Sequence, residues 1–288
     1  MNDGRKDLRP LAAPGRVKEV TSVSNPIVKN IRNLAMRKTR EETGLFLAEG
    51  LKLVIDALDS GWKIDTLIVS RNQLPDNALL SRAAARTVAA GADVLEASDK
   101  VLSAIARRDN PQAAIGVFRQ TLSDLSRIEL GADGVLVALD RVRDPGNLGT
   151  ILRTADAAGA KGVVLIGETV DPFSLEAVRA TMGSIFSVPV ARVSEKAFLQ
   201  WRAGFKGLVA GTHMSGTVDY RTPDYAARPT VLLMGNEQSG LSDALAGACD
   251  TLVRIPQVGR ADSLNLAIAT GLMIFEARRA RLSLDAKA

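Results

Sequence analysis

Three stretches of this sequence concentrate side chains that could hold a ligand or stabilise charge: Asn147 and Arg153 in LDRVRDPGNLGTILRTADAAGAKGVVLI, Glu237 in VLLMGNEQSGLS, and Ser263 and Asn265 in LVRIPQVGRADSLNLAIATGLMIFEARRARL. The middle stretch nearly spells the phosphate loop G-x-x-x-x-G-K-[ST], but Leu241 stands where lysine is required. The cation that would reach a nucleotide's phosphates is missing, which argues against an NTPase. A glycine loop at the end of a strand still lets a ligand approach backbone groups closely. No G-x-G-x-x-G follows a strand, so a dinucleotide fold has no support either. His213 is the single histidine, with no cysteine or acidic cluster at ligand spacing, and reads as structural; no metal site is expected.

The elements around these residues follow from apolar period. In the first stretch a strand at 135–140 enters a loop with Asp144, Pro145 and Gly146; Asn147 falls where a helix N-cap belongs. Leu148, Ile151, Leu152 and Ala155 then share one helical face, with Arg153 off that stripe and about two turns in. In the third stretch a strand ends at Pro256 and a short loop carries Gly259. Ser263 or Asp262 is expected to cap a long helix that buries Leu264, Ala267, Ile268, Gly271, Leu272 and Phe275, with Asn265 in its first turn.

At 288 residues the chain has room for two domains, and its 46% hydrophobic and 24% charged content is that of a globular protein. One cysteine, Cys249, excludes an internal disulfide, and no apolar h-region follows the start, so a cytoplasmic location is expected. No run approaches the roughly 18 apolar residues needed to span a bilayer. Net charge is +5, yet residues 1–40 hold ten Lys or Arg against three acids, +7, leaving −2 for the rest. A basic start of this kind suits contact with a polyanion such as RNA, or is simply a solvated tail.

Residues 1–18 lack apolar period and read as a flexible basic tail. A small α/β domain follows at 19–120. It opens with one helix over Asn25 to Arg40, whose Ile27, Val28, Ile31, Leu34 and Ala35 make its apolar face. Residues 121–133 have no strong apolar run and are read as a linker. A second α/β unit occupies 134–288, with strand candidates VLVALD, GVVLI, VPVA, GLVAG, VLLMG and LVRIP. Continuous apolar runs of this kind suit a mostly parallel sheet covered by helices on both faces.

Taken together, the three stretches resemble the three motifs of the SpoU, or TrmH-type, RNA 2′-O-ribose methyltransferases of the SPOUT superfamily. The matching residues are Asn147, Gly149, Arg153 and Ala155; then Gly235, Asn236, Glu237, Gly240, Leu241 and Ser242; then Ile255, Pro256, Gly259, Ser263, Leu264 and Asn265. AVRATMGSIFSVPV (177–190) is similar to the family's intervening helix and strand, while TSVSNPIVKNIRNL and FLAEG look like its N-terminal substrate-binding domain. Gln238 departs from a frequent glycine, and Gln257 from a frequent methionine.

The resemblance implies a C-terminal trefoil-knotted sheet, an exception to the rule against knots. It implies S-adenosylmethionine as cofactor, held by Gly235, Ile255 and Leu264 with Thr212 added, and a homodimer. The partner is RNA, with rRNA favoured over tRNA; a non-catalytic RNA-binding protein on the same fold is the alternative from another class, and a superfamily enzyme modifying another hydroxyl or a base nitrogen a further one. The catalytic set it implies is Arg153 with Asn147, Glu237, Ser263 and Asn265 as polar positioners. A guanidinium is a poor proton acceptor. Arg153 is therefore read as holding a phosphate or stabilising alkoxide charge, while a phosphate oxygen or water takes the proton.

Overall fold

The computed structural model describes residues 13–260 and 263–284, which divide into two units, 1–119 and 120–288. Arg5, Lys6, Arg9 and Asp262 lie outside the described residues, as does most of the expected tail.

The first unit alternates short strands and helices: β1 (Val17–Val20), α1 (Pro26–Asn33), α2 (Arg37–Thr43), β2 (Leu45–Glu49), α3 (Leu51–Asp59) and β3 (Ile64–Ser70). It continues with α4 (Ala78–Ala89), β4 (Asp93–Ala97), α5 (Asp99–Ala106) and β5 (Ala114–Arg119), and its sheet runs β1-β4-β3-β5-β2. Strands β1, β3 and β4 are parallel, and β5 is antiparallel to β3 and β2. The helix expected over Asn25 to Arg40 is broken in two after Asn33. The cause is Arg40, which is buried and donates from Nη1 to the carbonyls of Leu34 (2.8 Å) and Ala35 (2.9 Å), satisfying groups that a continuous helix would have satisfied itself. The first strand begins at Val17, two residues before the expected domain boundary, and pairs with β4 from Val17↔Val94 onward.

Several cations of the basic start are engaged within this unit. Lys18 pairs with Asp93 at 2.5 Å, Arg37 with Glu41 at 2.8 Å and Lys38 with Glu42 at 3.8 Å.

The second unit runs β6 (Val135–Asp140), α6 (Pro145–Ala157), β7 (Gly162–Ile166), α7 (Leu175–Thr181), β8 (Val190–Val193), α8 (Glu195–Gly204) and β9 (Leu208–Thr212). It ends with β10 (Val218–Asp219), β11 (Thr230–Met234), α9 (Asp243–Gly247), β12 (Thr251–Arg254) and α10 (Leu266–Arg278). Its seven strands lie in the order β10-β12-β9-β11-β6-β7-β8, and every pairing is parallel. Alternate residues of the all-apolar strands pack on opposite faces. Val135, Val137 and Leu139 meet Leu152 of α6 and Ile274 of α10, while Leu136 and Ala138 meet Phe198 of α8 and Leu245 of α9. Both faces are dry, so neither needs polar positions. The expected linker is packed in part: Leu125 and Leu130 are buried in this second core.

Helix α10 buries a different stripe from the one expected. Leu266, Ala267, Thr270, Met273, Ile274 and Ala277 face the core; Ile268, Leu272 and Phe275 are 56%, 39% and 48% exposed. The helix is apolar around most of its circumference, so a 3.6-residue period cannot choose between the two stripes. Among the described residues no helix is long and apolar enough to cross a membrane.

Candidate active site

In a parallel sheet the C-terminal ends of all strands share one edge, and ligands of such folds gather there. Thr212 ends β9, Gly235 follows β11, and Ile255 follows β12, three neighbouring strands at that edge.

Asp140 closes β6 at 1% exposure. A carboxylate there requires partners. Arg141 supplies a fork, Nε donating to Oδ1 at 2.9 Å and Nη2 to Oδ2 at 2.8 Å, and Ser242 donates its backbone N–H at 3.2 Å. These bonds to Asp140 raise the Arg141 pKa above the usual arginine value. Arg141 takes a left-handed backbone, φ 49°, a strain of about 1–3 kcal/mol held by the fork. Its carbonyl accepts from Asn236 Nδ2 at 2.8 Å. Asn236, 8% exposed, accepts on Oδ1 from the backbone N–H of Gln238 (2.9 Å) and Ser239 (3.3 Å) and pairs its backbone with Gly240. The loop after β11 is thereby tied to the loop after β6. Asp140 and Arg141 are absent from the residues expected to matter, and Asn236 is expected only as a motif match without a role. The available signal was an acid at the end of the buried run VLVAL.

Helix α6 starts at Pro145, which needs no donor at its N–H position, and its cap is Asp144 rather than Asn147: Asp144 Oδ1 accepts from Asn147 N–H at 2.6 Å. That leaves the Asn147 side chain free to bridge. Its Nδ2 donates to Glu237 Oε1 at 2.9 Å, and its Oδ1 accepts from Asn265 Nδ2 at 2.9 Å. Asn265 is the cap of α10, in place of the expected Ser263 or Asp262, and its Oδ1 accepts from the N–H groups of Ala267 (2.9 Å) and Ile268 (3.3 Å). Asn147, Glu237 and Asn265 thus meet in one open cleft of about 410 Å³, with Arg143, Asp144, Asn236 and Gln238 in its wall.

Ser263 is exposed and outside that wall. So is Arg153, which lies on the α6 face carrying Gly149 one turn earlier. A Cβ on Gly149 would sit 2.3 Å from Ala180 Cβ, so α6 and α7 nearly touch along that face. Gly235 is required for a similar reason: its Cβ would sit 2.6 Å from Gly240 C and Leu241 N. Gln238 needs no glycine, because its backbone φ is not positive. Thr212 Oγ1 lies 3.8 Å from Met234 Sδ, and Ile255 and Leu264 are half-buried. His213 Nδ1 accepts from Ser215 N–H at 3.1 Å, a structural use.

A parallel sheet with both faces covered, and a polar cleft where the loops after β6, β11 and β12 converge, place the chain among α/β ligand-binding proteins. Comparison with known proteins narrows this. Residues 134–275 match the SpoU rRNA Methylase family and residues 25–116 the MRM3-like substrate binding domain. A 23S rRNA (uridine(2479)-2′-O)-methyltransferase of Streptomyces viridochromogenes is 34% identical over 87% of this chain and 88% of its own. A 23S rRNA (guanosine(2553)-2′-O)-methyltransferase of Bacillus subtilis is 30% identical over 91% of this chain and 100% of its own. The crystal structure of an AdoMet-bound rRNA methyltransferase from Sinorhizobium meliloti superposes with TM-score 0.87 at 60% identity, covering 93% of this chain and 99% of that one. The chain belongs to the SpoU rRNA methylase family.

Proposed function

We propose that this protein transfers a methyl group from S-adenosylmethionine to a ribose 2′-hydroxyl of RNA, with ribosomal RNA as the substrate. The observation that carries the reading is the chain Asn265 to Asn147 to Glu237, which joins all three motifs in one cleft. The names of the relatives favour rRNA over tRNA.

The residues suit the cofactor. Gly235 lets its loop close tightly on the backbone of Gly240 and Leu241, and half-buried Ile255 and Leu264 offer apolar contact to a purine. Thr212 adds a hydroxyl at the same sheet edge. When bound, the cofactor supplies a methyl already activated on sulfonium, so the protein's tasks are alignment and the handling of one proton. Alignment alone can be worth roughly 7–11 kcal/mol. Asn147 and Asn265 hold Glu237 as a fixed acceptor beside the ribose, and Arg153 stabilises the developing alkoxide.

Arg153 lies outside the cleft of its own chain, which favours a twofold dimer in which it serves the partner's cleft. The exposed stripe Ile268, Leu272 and Phe275 supports a second copy as the occupant of that face. Gly271, on the same stripe, lies against Thr154, the residue after Arg153: a Cβ there would be 3.7 Å from Thr154 Cγ2. The strand order, with α10 returning to pack on α6, fits a trefoil-knotted domain. The cytoplasm is the expected place of action.

Isothermal titration with S-adenosylmethionine, followed by tritium transfer to an unmodified 23S rRNA transcript and mapping of alkali-resistant linkages, tests the reading. Cofactor uptake without any resistant linkage would reject it, and no uptake at all would favour a binding protein.

A further inference from the structure

The cleft that brings the motifs together has one cation in its wall, Arg143. Its two carboxylates are committed elsewhere. Asp144 caps α6 through the Asn147 N–H, and Glu237 takes the Asn147 amide. Arg141, two residues before Arg143, is forked on buried Asp140. Arg143 is exposed and meets no acid among the described residues.

The chemistry of the substrate gives that guanidinium a partner. A ribose 2′-hydroxyl sits on the carbon next to the one bearing the 3′-phosphodiester, so any site that seats the hydroxyl must also accept an anion. Asp144 and Glu237 would repel it. Arg153 does not line the cleft of its own chain, since it stands on the Gly149 face of α6.

We infer that Arg143 is a positioning residue that grips a phosphodiester flanking the target ribose. Its planar fork matches two phosphate oxygens, fixing the sugar's distance from Asn147 and Glu237. The inference rests on the cleft being the methyl-acceptor site.

The test uses the full chain, an unmodified 23S rRNA transcript and tritiated S-adenosylmethionine, comparing wild type with Arg143→Gln and Arg143→Lys. Thermal melting should be unchanged, since the side chain is exposed. In Arg143→Gln the RNA KM should rise about tenfold or more, as for a lost charged hydrogen bond. The slope of log affinity against log salt should flatten by about 0.7–0.9. Cofactor affinity should stay at the wild-type value. Arg143→Lys should restore the slope but only part of the KM. An unchanged slope and RNA KM in Arg143→Gln would overturn the inference. A wild-type protein that binds cofactor yet leaves 2′-hydroxyls untouched would overturn the reading of the cleft and the inference with it, and this shows before any variant is made.

Discussion

Asn265 donates from Nδ2 to Asn147 Oδ1 at 2.9 Å, across 118 residues of sequence. The direction of that bond is forced. Asn265 Oδ1 is occupied by two backbone N–H groups at the start of α10, so only its NH₂ can face Asn147. Asn147 must then present its own NH₂ to Glu237, whose carboxylate can only accept. One helix cap thereby orients two amides and an acid.

Replacing Asn265 by Asp keeps the cap but sets a carboxylate oxygen against Asn147 Oδ1. The Asn147 amide must flip and turn its carbonyl toward Glu237. Melting should move little, whereas kcat should fall by about tenfold or more, the size of one lost charged hydrogen bond. Asn265→Ala should lose the same activity and about 1 kcal/mol of stability besides. Equal kcat in Asn265→Asp and wild type would refute the forced direction.

Gly235→Ala should weaken cofactor binding and destabilise the fold by about 1–3 kcal/mol, because its methyl meets backbone at 2.6 Å rather than a side chain that could move aside. Calorimetry and denaturant melts read the two effects separately.

Arg153→Ala should abolish transfer while leaving cofactor affinity intact, and Arg153→Lys should retain much of the rate if charge alone suffices. If Arg153 serves a partner's cleft, two inactive proteins, Arg153→Ala and Asn147→Ala, should regain about a quarter of wild-type activity when mixed after subunit exchange. No recovery would place both residues in one protomer's site.

Burial pushes the Cys249 thiol up to about 12. A group whose pKa is raised on folding favours the native state below its unfolded value, near 8.5, and withdraws that support as pH climbs toward 12. Native protein at pH 8 should therefore react slowly with a thiol reagent. Denaturant should release a fast reaction, and fast labelling of folded protein would contradict the burial.

Much of this architecture was legible in the sequence because it rests on local regularities. The runs VLVALD and GVVLI become β6 and β7 at the expected bounds, since a strand covered on both faces has no polar positions to blur its ends. The short β10, Val218–Asp219, carries no such run and escaped notice. Capping was harder. Asp144, Asn147, Ser263 and Asn265 are all competent caps, and which of them serves depends on backbone angles and on where a proline stands. The Asp140–Arg141–Asn236 joint was invisible for another reason: two of its three members touch only because two loops 95 residues apart meet in space.

The close contact of α6 with α7 at Gly149 and Ala180 has a kinetic corollary. A helix wedged so tightly has little freedom to roll about its axis, which keeps Arg153 outside the wall of the cleft its own loops build. If that guanidinium serves a partner's cleft, turnover depends on two molecules meeting: specific activity should decline on dilution and return on concentration, and the supply of the protein, beyond the quality of any one copy, sets how much RNA is marked.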